Sequence, residues 1–191
     1  MKHKEDLRIT KTKTALVKAF FGMLDTMEMD DITVNDLCIS AGIRRATFYK
    51  HFKDKNDFVL FLIKDVRERF DNETWQNESD TTVTKEYYLK YAESVMNYLF
   101  GREVAIKNII NSSIRSTFIQ TFVQQNYEDT IKRLEASKDS GMSLIASADV
   151  VASMLIGGIS HCIVSWFEKD DRCTSDELLS DISSFIDRVL S

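Results

Sequence analysis

Proline is missing from this chain altogether, and only six of its 191 residues are glycine. Strand-and-turn architectures need turn residues about every 8–12 positions, so the shortage argues against a sheet fold and for an all-α one. Cysteine is scarce too. Cys38, Cys162 and Cys173 are odd in number and lack metal-ligand spacing, which points to reduced thiols and no metal site. A cytoplasmic setting is therefore expected. There is no phosphate-binding glycine loop, no HExxH and no nucleophile elbow, so nothing supports an enzyme. The paired carboxylates Asp30-Asp31 and Asp170-Asp171 fall in expected loops, where they end helices. No apolar stretch of signal-peptide type follows the basic start MKHKEDLRITKTKT, which argues against export. The longest apolar run, within Val150–Phe167, carries Ser153, two glycines, Ser160, His161 and Ser165. It reads as a buried helix and not a membrane span. No cofactor is called for.

What is present is an ordinary globular mix, 43% hydrophobic and 29% charged, with charge unevenly shared. Residues 1–55 hold 11 Lys/Arg against 8 Asp/Glu, a net of +3. The remainder holds 14 against 22, a net of −8. A basic head on an acidic helical body suits a polyanion-binding function.

Apolar periodicity predicts a first helix over about Leu7–Met27. Thr33 N-caps a short second helix with Asp36 three residues on, and Gly42 stops it. A third follows over about Arg45–Phe52, and Asp54 caps a fourth carrying Phe58, Phe61, Leu62, Val66 and Phe70. Polar Asp71–Thr84 reads as a linker. Beyond it, helices are expected over about Lys85–Phe100, Glu103–Ser112, Arg115–Ala136, Ser147–Glu168 and Ser175–Leu190, the last opened by a Thr174–Glu177 capping box. The domain reading is a head at 1–53, a connecting helix at 54–70 and a body at 71–191.

A helix, a glycine turn and a second helix within about 20 residues make a helix-turn-helix, whose second helix enters the major groove. Its first residues here include Arg44, Arg45 and Thr47. An arginine there can donate two hydrogen bonds to guanine, worth roughly 1–3 kcal/mol against a wrong base. Tyr49, Lys50 and His51 follow where such a helix meets phosphate. Thr33 and Lys55 sit at helix starts, which favour an anion. The bland alternative is a helical hairpin with a solvated basic face.

The run ITVNDLCISAGIRRATFYKHFKDKNDF, Ile32–Phe58, resembles the DNA-binding segment of the TetR family of bacterial transcriptional regulators. The likeness rests on Thr33-Val34, Ala41-Gly42-Ile43, Thr47-Phe48-Tyr49-Lys50-His51-Phe52, Lys55 and Asp57-Phe58, and covers about residues 8–60. It implies phosphate contacts by Thr33, Thr47, Tyr49 and Lys55, base reading by Arg44 and Arg45, and Lys50 and His51 near the backbone. Phe48 and Phe52 would be core residues. Two positions depart from the family's habit. Arg44 stands where a small capping residue is common, and Ala46 where glycine is common.

The resemblance further implies a repressor that binds a palindromic DNA operator as a homodimer through its last two helices and responds to a small-molecule effector or a partner protein. Met154, Gly157, Gly158, Phe185 and Val189 are the candidates for the dimer contact, with close helix approach at the glycine pair. Tyr91, Phe118, Phe122, His161 and Trp166 are candidates for an effector pocket, although aromatic residues at helical spacing also suit a plain core. A related co-regulator that binds no DNA is the alternative reading.

Overall fold

The computed structural model describes residues 2–75, 85–139, 141 and 143–190, with the backbone alone for 2–6 and 66–75. Those residues form nine helices and no strand: α1 Lys2–Leu24, α2 Val34–Ser40, α3 Arg45–Phe48, α4 Lys55–Trp75, α5 Lys85–Phe100, α6 Glu103–Ile110, α7 Arg115–Asp139, α8 Ala148–Glu168 and α9 Ser175–Val189. They pack as two compact units. The first is 1–63 with 104–118; the second is 64–103 with 119–191.

In the first unit, Leu16, Ala19, Phe20 and Leu24 recur at helical spacing and turn one face of α1 into the core. Leu37 and Cys38 of α2 meet that face, together with Phe48, Phe52, Phe58 and Leu62. The aromatic rings interlock edge to face: Phe20 on Phe58 at 5.4 Å and Phe52 on Phe58 at 5.1 Å. Ala105, Ile109 and Ile114 complete this core from a segment far along the chain.

Polar contacts pin that segment to the loop after α1. Asn108 accepts from the buried Met29 N–H at 2.6 Å and donates to the Leu24 and Met27 carbonyls at 3.2 and 2.5 Å. It therefore satisfies the groups that α1 leaves open at its end. Asp30 accepts from the Ser113 N–H at 3.0 Å and its hydroxyl at 2.6 Å. These bonds hold the Asp30 carboxyl below its ordinary value, with Lys55 adding to the effect.

Several boundaries differ from the sequence expectation, α1 beginning earlier, at Lys2, and α7 ending later, at Asp139. Helix α1 ends at Leu24, because Thr26 and Met27 N–H groups both turn back to the Met23 carbonyl. Regular α3 ends at Phe48; the His51 N–H bonds to Phe48, three residues back, in a tighter turn that brings Phe52 into the core. Helix α4 runs on to Trp75, through residues expected to begin the linker. Residues 76–84 of that linker, and the side chains of Val66 and Phe70, lie outside the described residues.

In the second unit, α5 and α8 both pack on α9. Tyr88, Ala92, Val95 and Met96 of α5 are buried, as are Val151, Leu155 and Ile163 of α8 and Ile182 and Ile186 of α9. Lys85 pairs with Asp187 at 2.6 Å. At the far end of α8 the Trp166 ring lies 4.7 Å from Phe100, under the Arg172 guanidinium at 3.7 Å, and donates from Nε1 to the Cys173 carbonyl at 2.8 Å. The capping box of Thr174 and Glu177 forms, and it lowers the Glu177 carboxyl through the Thr174 N–H and hydroxyl.

Candidate nucleic-acid interface and body cavity

The turn between α2 and α3 follows from one residue. Thr33 opens α2 with a capping box, its hydroxyl accepting from the Asp36 N–H at 3.1 Å while the Asp36 carboxylate takes the Thr33 N–H. Gly42 closes the helix at φ 66°. Its N–H bonds to Ile39 and that of Ile43 reaches back to Cys38, both C-terminal carbonyls being satisfied in a Schellman motif. Ile43 then packs on the core and the chain re-enters a helix at Arg45.

Arg44 sits at the N-cap of α3 in extended conformation and makes no side-chain cap bond. Arg44, Arg45, Tyr49 and Lys50 are exposed, and Thr47 and His51 half-buried, while Phe48 and Phe52 anchor the segment from below. The alternation is the helical period at work: one face enters the core and the other presents cations and a phenol to solvent. Arg45 and Tyr49, one turn apart, share that outer face with the guanidinium 6.0 Å from the ring centre. Among the described residues neither Arg44 nor Arg45 has an acidic partner, so both charges are open to a polyanion.

Lys55 has a second occupation. Its ammonium donates to the Met29 carbonyl at 2.8 Å and the Asp30 carbonyl at 3.2 Å, and burial pulls its pKa down. Asp54 and Asp57 cap the start of α4 beside it, through the Asp57 N–H to Asp54 and the Lys53 N–H to Asp57, both at 2.8 Å.

The second unit holds a partly open cavity of about 60 Å³ between α5, α7, α8 and α9, lined mainly by apolar side chains such as Val95, Met96, Leu155 and Ile159. Tyr91 and Phe122 are brought together there. The other three pocket candidates are not. Phe118 lies one turn before Phe122 on α7 and packs on the core of the first unit. His161 is rotated about 200° from Ile159 on α8, onto the outer face, where it borders a surface depression with Cys162. Trp166 borders that depression too, one turn past Ile163, with its ring among Phe100, Phe167 and Arg172.

Sequence reading missed Asn126, Thr130 and Ser160, buried polar residues that line the cavity. Their signal was available as polar residues on otherwise apolar faces of α7 and α8. Tyr91 donates to Asn126 Oδ1 at 2.5 Å, Asn126 Nδ2 donates to the Phe122 carbonyl at 2.7 Å, and Tyr88 donates to the Thr130 carbonyl at 3.3 Å. Burial pushes the Tyr88 phenol well above its ordinary value, so it stays neutral.

On the outside of α8, Val150, Met154, Gly157, Gly158, His161 and Cys162 form one exposed stripe, Met154 being 65% exposed. Among the described residues, and apart from the helix's own backbone, nothing approaches within 4 Å of a Cβ built on either glycine. The expected close approach therefore has no counterpart among the described residues of one chain. Phe185 of α9 is likewise exposed and Val189 half-buried. Helix α8 is, among the described residues, the one helix long and apolar enough to cross a membrane, and its opposite face lines the cavity.

An all-helical chain with a helix-turn-helix near its start recurs in known structures. The chain has the TetR-family regulator fold. It superimposes with a TM-score of 0.74 on a protein described as a TetR-family transcriptional regulator from Syntrophomonas wolfei, at 14% identity and covering 95% of each chain. The TetR transcriptional regulator from Streptococcus agalactiae matches at 0.60 and 20% identity, over 97% of this chain and 99% of that one. NalD, the secondary repressor of the MexAB-OprM multidrug efflux pump in Pseudomonas aeruginosa, matches at 0.63 and 12% identity, over 95% and 98%. In sequence, the chain is 32% identical over 98 residues to the HTH-type transcriptional regulator YxbF of Bacillus subtilis, a match spanning 50% of this chain and 24% of that protein. No protein-family model matches the chain.

Proposed function

We propose that this chain is a sequence-specific DNA-binding transcriptional regulator, acting in the cytoplasm as a repressor. The observation that carries the reading is the outer face of α3, where Arg44, Arg45, Tyr49 and Lys50 stand exposed above buried Phe48 and Phe52, immediately after a glycine turn. Arg45, with Arg44 beside it, reads base edges; Thr33, Thr47 and Tyr49 take phosphates, with Lys50 and His51 close to the backbone. Lys55 keeps one ammonium N–H for a phosphate beyond the two it gives to carbonyls. The reading assigns binding, and no catalysis, to the molecule.

In this reading two copies join through the exposed stripe of α8 and the Phe185 face of α9. Gly157 and Gly158, with no other described residue packed against them, leave room for the second copy's helix. A two-fold dimer then sets two recognition helices about 34 Å apart, one turn of duplex, and calls for a palindromic operator. The body cavity is the effector site. Its lining residues Phe122, Asn126 and Thr130 lie on α7, whose first turn belongs to the first unit, so α7 joins α4 as a route from effector to head.

The test is selection of bound sequences from a random double-stranded DNA library by the purified protein at physiological salt, because phosphate contacts make affinity steeply salt-dependent. Enrichment of an inverted repeat is expected. A folded dimer that enriches nothing would overturn the reading.

A further inference from the structure

Resting on the reading of the body cavity as an effector site, we infer that the ligand is a small uncharged molecule, largely apolar, that presents one hydroxyl or carbonyl to Ser160. Three observations converge on this class. Among the described residues that line the cavity there is no Lys, Arg, His, Asp or Glu, and a charged ligand there would have no counter-ion from them. The walls are otherwise apolar, with Ala92, Val95, Leu155, Ile156, Ile159 and Ile163 offering dispersion contacts and no hydrogen bonds from their side chains.

The third observation is the state of the polar groups. Tyr88, Tyr91 and Asn126 already have partners within the fold, so they hold the wall together. Ser160 also lines the cavity, and its hydroxyl, bonded to no described residue, keeps some accessible surface. That hydroxyl can donate to or accept from a ligand oxygen that enters the cavity. Thr130 lines the same cavity and offers a second hydroxyl to the same ligand. The cavity measures about 60 Å³, against about 150 Å³ for an engineered cavity that accommodates benzene. It accordingly takes a short-chain alcohol or ketone as it stands, and a phenol-sized ring after modest widening around the unbranched Met96 side chain. A polycyclic or drug-sized molecule is excluded without a larger rearrangement.

The experiment is an NMR titration of the full-length protein, without DNA, using 1-butanol, phenol, toluene and butyrate near pH 7. Butanol and phenol are expected to shift resonances of residues around the cavity, toluene to bind about tenfold more weakly than phenol, and butyrate to shift none. In the Ser160→Ala protein, phenol affinity should fall about tenfold while toluene affinity stays unchanged. Because that hydroxyl has no partner to lose, the variant keeps its fold, and its melting temperature serves as the control. Equal binding of toluene and phenol to the parent protein, butyrate binding at the cavity, or no binding by any neutral probe would overturn the inference. The readout is independent of DNA. A protein that binds phenol but selects no DNA would therefore refute the regulator reading alone.

Discussion

Gly42 and Gly22 belong to the same compact unit, and a Cβ built on either meets nothing within 4 Å. Space therefore does not distinguish them, and backbone conformation does. Gly42 sits at φ 66°, in the left-handed region where an L-residue is strained by roughly 1–2 kcal/mol. Gly22 lies inside helix α1, where exchanging glycine for alanine gains up to about 1 kcal/mol through backbone entropy. Gly42→Ala should therefore destabilise the head by about 1–2 kcal/mol, and Gly22→Ala should stabilise it by about 0.5–1. Melting midpoints for a chain of this size move about 2–4 °C per kcal/mol, so the two variants should differ by about 3–12 °C. Urea denaturation and amide exchange of core residues such as Leu37 would read the effect in the head itself. Gly42→Asn should fall between Gly42→Ala and the parent, since asparagine tolerates the left-handed region better. If both alanine variants shift stability in the same direction, the assignment of the turn to the demands of φ at Gly42 is wrong.

Asn108→Ala removes three hydrogen bonds and leaves the buried Met29 N–H without its partner; about 2–3 kcal/mol of stability should be lost, and the Met29 amide should exchange at least tenfold faster. Because the Asp30 carboxyl is held below its ordinary value, its bonds to Ser113 stabilise the fold above the unfolded carboxyl range near pH 4 and fade as pH falls through the folded value. NMR titration should find the Asp30 pKa raised in Ser113→Ala, and an unchanged value would refute that cause. Tyr49→Phe should weaken binding to all DNA sequences alike, whereas Arg45→Ala should relax preference at one base position per half-site; an unaltered selected motif for Arg45→Ala would remove it from base reading. Gly157→Leu should sediment as a monomer, and an undisturbed dimer would exclude the α8 stripe as the contact.

Local rules were legible along the chain because they depend on neighbours in sequence. The absence of proline, the 3.6-residue recurrence of Leu16, Phe20 and Leu24, the Thr33–Asp36 and Thr174–Glu177 caps, and the Gly42 stop together specify an all-helical chain with a helix-turn-helix near its start. Each involves groups within about one turn of one another, so sequence spacing is enough to bring them together. Folding then decided what spacing could not. That Ala105, Ile109 and Ile114 complete the core of the head, that Asn108 closes the end of α1 from some 80 residues away, and that the Lys55 ammonium is divided between carbonyls and solvent are long-range outcomes. The same holds for the cavity. Aromatic residues drew attention in the sequence, but helix rotation turned His161 outward, and a single turn along the helix axis placed Phe118 and Trp166 beyond its walls. Whether a residue on an apolar helix meets a neighbour, a cavity or water depends on the packing of that helix against others, and only the tertiary structure sets that.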